Sequence, residues 1–166
     1  MQNNSRGGTL VNPLFSTKQH VSPEWVDYNG HMNDAEYARA FSLAAEDFIN
    51  FIGLDEMGRI EHSYTIFTLE THICYLKEAH EGEELTIKSH LLDTDAKRIH
   101  QFLLMENQEG ELIATMEQMI MGMDQKEGKP APFPEVVAKK IEEIYKEDAK
   151  REQPKQAGRR IGIRRK

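Results

Sequence analysis

The chain has 166 residues, 39% hydrophobic and 30% charged, with a formal net charge of −7. That length points to one domain with a real core, and the composition to a soluble globular protein rather than a disordered one. No apolar run approaches the ~20 residues of a bilayer-spanning helix. The N-terminal stretch lacks the apolar centre and cleavage site of a secretory signal. Cys74 is the only cysteine, which excludes an internal disulfide framework and suits a reducing cytoplasm.

Residues 1–16 show no periodicity and read as a flexible leader. Residues 17–26, TKQHVSPEWV, suggest a short strand interrupted at Pro23, as an edge or a bulge allows. From residue 34 to 52, Tyr37, Ala40, Phe41, Ala44, Phe48 and Ile52 recur at spacings of three and four. That predicts a helix of about five turns with one apolar stripe, and Gly53 stands where a C-cap glycine belongs. The period then changes. Residues 63–77, 85–93, 96–106 and 111–124 alternate like strands and are separated by short turns, which predicts an antiparallel meander. The segment 63–77 is too long to run without bending. Residues 111–121 also satisfy helical propensity, and the turn before them decides for strand. Pro130, Pro132 and Pro134 break the chain before a second helix over 136–150.

The charge is unevenly placed. Residues 150–166 carry eight Lys and Arg residues against Glu152 alone, a balance of +7 that leaves −14 on the rest. Such a basic tail is either a solvated end or a clamp for the phosphates of a large anion. It has no interleaved aromatics and no nucleic-acid motif, so nucleic acid is not the expected partner.

The chemistry concentrates ahead of the long helix. Between Asp27 and Asn33 stand a carboxylate, two carboxamides, an imidazole and a glycine. Asn29-Gly30 makes a turn, and Asn33 or Asp34 can cap the helix. A cap needs only one such side chain, so Asp27 and His31 are left over. A helix start offers free N–H groups and positive partial charge that can polarise a carbonyl. A carboxylate beside it can attack or draw a proton from water, with an imidazole to orient or shuttle.

The run Asp27-Tyr28-Asn29-Gly30-His31-Met32-Asn33, followed by Tyr37, resembles the D-x-N-G-H-x-N-x-x-x-Y signature of hotdog-fold acyl-CoA thioesterases of the 4-hydroxybenzoyl-CoA thioesterase type. The similarity covers residues 17–124, leaving 125–149 as a Pro-rich linker with a C-terminal helix and 150–166 as the basic tail. It implies an α+β fold in which a curved antiparallel sheet of about five strands wraps a long helix. It further implies a homodimer with its sites at the interface, often a dimer of dimers. Asp27 would be the catalytic carboxylate, either as nucleophile or as general base, with Asn29, His31 and Asn33 as polar partners. Backbone N–H groups from Gly30 to Asn33 would hold the oxyanion. Many relatives carry a second Asn after the last motif Asn; here Asp34 keeps the capping ability and adds charge. No cofactor is implied beyond the coenzyme A of the substrate itself.

Within that superfamily the HMNDAEYARAF run and the extended basic end resemble thioesterases found beside, or fused to, L-carnitine dehydrogenase, whose substrate is betainyl-CoA. A trimethylammonium acyl group calls for aromatic faces and negative potential. Trp25, Tyr28, Tyr37, Phe41 and Phe67 are the candidates, with Thr68 and Glu70 able to reach the site from the long strand. Glu36 and Glu46 read as surface residues on the helix, and Cys74 as a small buried one. The histidines, among them His72, His80, His90 and His100, lack ligand spacing and read as solvated strand positions, so no metal is expected. No Gly-rich phosphate loop or G-x-S-x-G elbow is present. The alternative from another class is a non-catalytic acyl-CoA-binding or interaction module of the same fold.

Overall fold

The computed structural model describes residues 13–165, so most of the predicted leader lies outside the described residues. Strand β1 spans Ser16–His20. It ends earlier than its apolar pattern suggests, because Pro23 opens a single 3-10 turn, Pro23–Trp25. Helix α1, Asp34–Ile49, begins where Asn33 Oδ1 accepts the Ala35 N–H at 3.0 Å. Asp34 and Glu36 in its first turn complement the helix dipole. Its predicted stripe is the buried face, with Tyr37, Ala40, Phe41, Ala44 and Phe48 all inside. Past Ile49 the helix widens into one looser turn, Asn50–Leu54, and stops at Gly53, whose φ of 100° no β-carbon tolerates easily. A short helix that the periodicity does not announce, α2 (Glu56–His62), follows.

The remaining strands are β2 (Tyr64–Tyr75), β3 (Glu84–Thr94), β4 (Arg98–Glu106) and β5 (Leu112–Asp124). A two-residue β6 (Lys129–Pro130) pairs with the end of β5, and helix α3 covers Glu135–Asp148. All pairings are antiparallel, in the order β1-β3-β4-β5-β2. Only β3, β4 and β5 form a meander. β2 pairs with β5 at the far edge, not with its sequence neighbour β3, so residues 76–83 must cross the sheet near the start of α1. The predicted bend in β2 is a bulge between Thr68 and Glu70.

Two apolar clusters fill the space between α1 and the sheet. The first gathers Tyr37, Phe41 and Ala44 with Leu85, Ile87, Leu103, Met105 and Met116. The second joins Phe48 and Ile52 to Leu91, Ile99 and Ile120, and α3 contributes Val137, Ile141 and Ile144. Each fully buried large side chain contributes about 1.5–3 kcal/mol. A buried polar row crosses the sheet: Gln118 Nε2 donates to Gln101 Oε1 at 2.7 Å, and Gln101 Nε2 to Ser89 Oγ at 2.9 Å.

β1 pairs with β3 only from Glu84 to Lys88, which leaves the rest of the β3 edge without a strand partner among the described residues. The end of α3 takes over that role. Asp148, 1% exposed, accepts the Leu91 N–H at 2.8 Å and is paired with Arg151, which donates to Ser89 O. His90 is buried beside this pair rather than on a solvated strand face. Burial pushes its imidazole below the usual range; Asp148 opposes that shift and Arg151 adds to it. The folded state therefore holds His90 neutral, and its contribution is complete above the ordinary pKa of ~6.5. It is lost as pH falls through the lower folded value. We expect the melting temperature to fall between pH 7 and pH 5, and His90→Asn to flatten that part of the profile. Parallel profiles for the two proteins would show that His90 is not responsible.

Candidate active site

Residues 25–33 form a small hairpin in front of α1. Asp27 N–H donates to His31 O and Asn33 N–H to Trp25 O, both at 2.9 Å, and Gly30 at the tip takes φ 77°. Asp27 folds its carboxylate back into this turn: Oδ1 accepts the Asn29 N–H at 2.8 Å and the His31 N–H at 3.2 Å. Oδ2 has no partner among the described residues, and the side chain is exposed. The hairpin is tied to the β2–β3 connection, with Met32 N–H donating to Ala79 O at 2.8 Å and His31 bridged to His80.

The expected oxyanion donors are already engaged. Gly30 N–H bonds Asp27 O, His31 N–H bonds Asp27 Oδ1, and the Met32 and Asn33 N–H groups hold the hairpin. The N–H without an acceptor among the described residues is one position on, at Asp34, because the Ala35 N–H is capped. That free N–H belongs to the first residue of α1.

His31 does not reach the Asp27 carboxylate with its ring. Its Nδ1 lies 3.4 Å from Glu78 Oε1, and its ring meets His80 edge-on at 5.0 Å. His31, Glu78 and His80 bring ligand-type atoms within 4.8 Å of one another, a donor set the sequence spacing does not reveal. His80 Nδ1 is also hydrogen-bonded to Glu83 Oε1 at 3.0 Å. Tyr37 is 4% exposed; its hydroxyl donates to Lys77 O at 3.3 Å and accepts the Ala79 N–H at 3.0 Å. Burial pushes its phenol up, so it stays protonated. The ring stands edge-on against Tyr75 at 5.4 Å. Tyr75, which the strand pattern does not single out, thereby joins the site.

A cavity of about 330 Å³ opens at this point, lined by Met32, Asp34, Tyr37, Tyr75, Leu76, Lys77 and Glu78. Trp25 is half-buried against the first core and Tyr28 is 97% exposed on the hairpin. Phe41 is core, and Phe67 is 54% exposed on β2. Thr68 and Glu70 are exposed on β2 and do not line this cavity. Glu70 instead borders a separate cavity of about 540 Å³ between the sheet and the basic tail. There the Gly158 N–H donates to Glu117 Oε2 at 2.8 Å, and Arg159 and Arg160 lie over β2. The tail continues past His72 to Tyr75, with Arg164 lining the same stretch. Cys74 is half-buried and reduced.

A long helix held by a curled antiparallel sheet, with a polar hairpin at the helix start, defines a hotdog-fold protein of the thioesterase kind. The chain belongs to the thioesterase-like superfamily, whose family model matches residues 21–141. It is 38% identical over 154 residues to an L-carnitine dehydrogenase/betainyl-CoA thioesterase of Rhizobium meliloti. That match covers 92% of this chain but 31% of the relative, so the chain spans about a third of that relative's length. A betainyl-CoA thioesterase of Pseudomonas aeruginosa is 36% identical over 151 residues, covering 90% of this chain and 95% of that protein. A Staphylococcus aureus hypothetical protein solved in complex with CoA is 36% identical, with TM-score 0.87 over 95% of this chain and 99% of its own.

Proposed function

We propose that this protein hydrolyses an acyl-CoA thioester to the free acid and coenzyme A, and that its substrate is betainyl-CoA. The observation that carries this is the Asp27 carboxylate, pinned through Oδ1 in the turn of a hairpin that leads into α1, with Oδ2 free among the described residues. One oxygen sets direction and the other is available to attack the thioester carbonyl or to take a proton from water. The carbonyl oxygen, as it gains charge, is stabilised at the Asp34 N–H and the positive end of α1. Asn29 and His31 shape the turn through their N–H groups, Asn33 caps the helix, and Gly30 permits the tip. The relatives' names support the substrate, and the CoA complex of the S. aureus protein supports the handle.

The second subunit belongs to the same reading. Among the described residues β2 ends the sheet with one unpaired edge and exposes Phe67, Leu69 and Tyr75, an edge that a second copy would cover. Edge-to-edge pairing would bring the partner's Thr68–Glu70 stretch toward the interface, and pairs can assemble further into a tetramer. No described helix is long and apolar enough to cross a membrane. We place the enzyme in the cytoplasm, the compartment that a single thiol suits.

Release of free thiol from a panel of acyl-CoAs tests the function: betainyl, short-chain, aromatic and long-chain members. Fastest release from betainyl-CoA is expected. No release from any member would leave the binding-module reading in its place. The same assay tests the tail. The body's charge of −14 is an awkward host for the coenzyme A phosphates, and Arg159, Arg160 and Arg164 supply countercharge along β2. Deleting residues 155–166, which leaves Arg151 on Asp148, should raise KM for the CoA thioester several-fold, and an unchanged KM would remove the tail from CoA binding.

A further inference from the structure

The cavity at the start of α1 has a composition that an oxyanion site alone does not need. It is walled by Tyr37 and Tyr75, set edge-on at 5.4 Å, and by the carboxylate-bearing residues Asp34 and Glu78. Its one basic lining residue, Lys77, is held at 2.5 Å by Glu111 on the β4–β5 turn. What remains is an aromatic wall with negative charge and a volume of about 330 Å³, within the range of small-ligand pockets of about 300–1,000 Å³.

We infer that this cavity is the acyl subsite and that Asp34 with Tyr75 selects a cationic, trimethylammonium-type acyl group. The inference rests on the thioesterase reading above and deepens it. In such a substrate the quaternary nitrogen is two bonds from the reacting carbonyl carbon. A helix start that attracts the forming oxyanion repels a cation placed so close, so the site must supply compensating negative charge within the same few ångströms. Asp34 does so from the first residue of α1. Its backbone N–H faces the oxyanion role while its side chain adds the charge that an Asn at this position would lack. Glu78 adds a second carboxylate from the β2–β3 connection. Tyr75 presents an aromatic ring, the surface that a quaternary ammonium prefers. Its hydroxyl also reaches Asp34 O at 3.4 Å, which ties the ring to the helix start.

The test compares betainyl-CoA with its neutral isostere, 3,3-dimethylbutyryl-CoA, in which a quaternary carbon replaces the nitrogen. The quantity read is the ratio of kcat/KM for the two. The wild-type protein should favour the cation, and Asp34→Asn, which keeps the backbone N–H and a capping side chain, should cut the ratio about tenfold. Tyr75→Leu should lower it as well, chiefly through KM. Circular dichroism and the melting temperature establish that each variant is folded, and Glu78→Gln provides a third if one is not. A wild-type preference for betainyl-CoA that survives intact in the Asp34 and Tyr75 variants would overturn the inference and leave the substrate reading standing. Equal wild-type rates for the two thioesters would overturn both the inference and the betainyl-CoA assignment, while thiol release itself would still mark a thioesterase.

Discussion

Asp27→Asn should lower kcat/KM for thioester cleavage by about a thousandfold, close to 4 kcal/mol of transition-state stabilisation. The substitution is nearly silent in shape. An Asn oxygen can accept the same Asn29 and His31 N–H bonds that Asp27 Oδ1 accepts now, at 2.8 and 3.2 Å, so the hairpin is kept. Only the charge and the free reactive oxygen are lost. The side chain is exposed, so stability should change by less than about 1 kcal/mol. Calorimetric titration with coenzyme A should find affinity preserved while thiol release collapses. A variant that retains a tenth or more of the wild-type rate would show that another group carries the reaction.

Asp148→Ala should be the most damaging single truncation away from the site. It removes the acceptor for the Leu91 N–H and leaves Arg151 without its carboxylate, both behind a part of the β3 edge that no strand covers among the described residues. Breaking a buried pair from one side costs about 3–5 kcal/mol, which in a domain of this size lowers the melting temperature by roughly 10 °C. Asp148→Asn should recover part of the loss, since its oxygen can still accept from Leu91. At 20 °C the folded fraction should cleave thioester normally, because the pair lies far along the sheet from the hairpin. A drop of less than 3 °C would show that α3 is held by Val137, Ile141 and Ile144 alone.

The two predictions differ in how far the sequence could have led to them. Asp27 is conspicuous in the chain: seven consecutive positions hold more short polar groups than a cap requires, and they precede an apolar stripe at helical spacing. The helix, a cap at Asn33 or Asp34, its stop at Gly53 and the four long strands follow from periodicity and from residues whose backbone preferences are strong. Asp148 gives no such signal. In the sequence it is one more acid on an amphipathic helix, and only the shortness of β1 makes it an edge-filling group.

The same limit governs the site. Local pattern determined that a carboxylate would stand at a helix start. It could not determine which N–H groups remain free, because that depends on the hairpin's own bonds to Trp25 and on its tie to Ala79. Nor could it place His80 on His31, or Tyr75 on Tyr37. Those contacts exist because β2 pairs with β5 at the far edge of the sheet, which forces residues 76–83 to cross beneath the start of α1. Strand identity is set by a two-residue period that each segment carries within itself. Strand order is set by which faces can be buried together, a property of the whole chain. The sequence by itself therefore determined the polar hairpin that carries Asp27 and the elements around it, and the tertiary structure decided what lines the cavity at the start of α1.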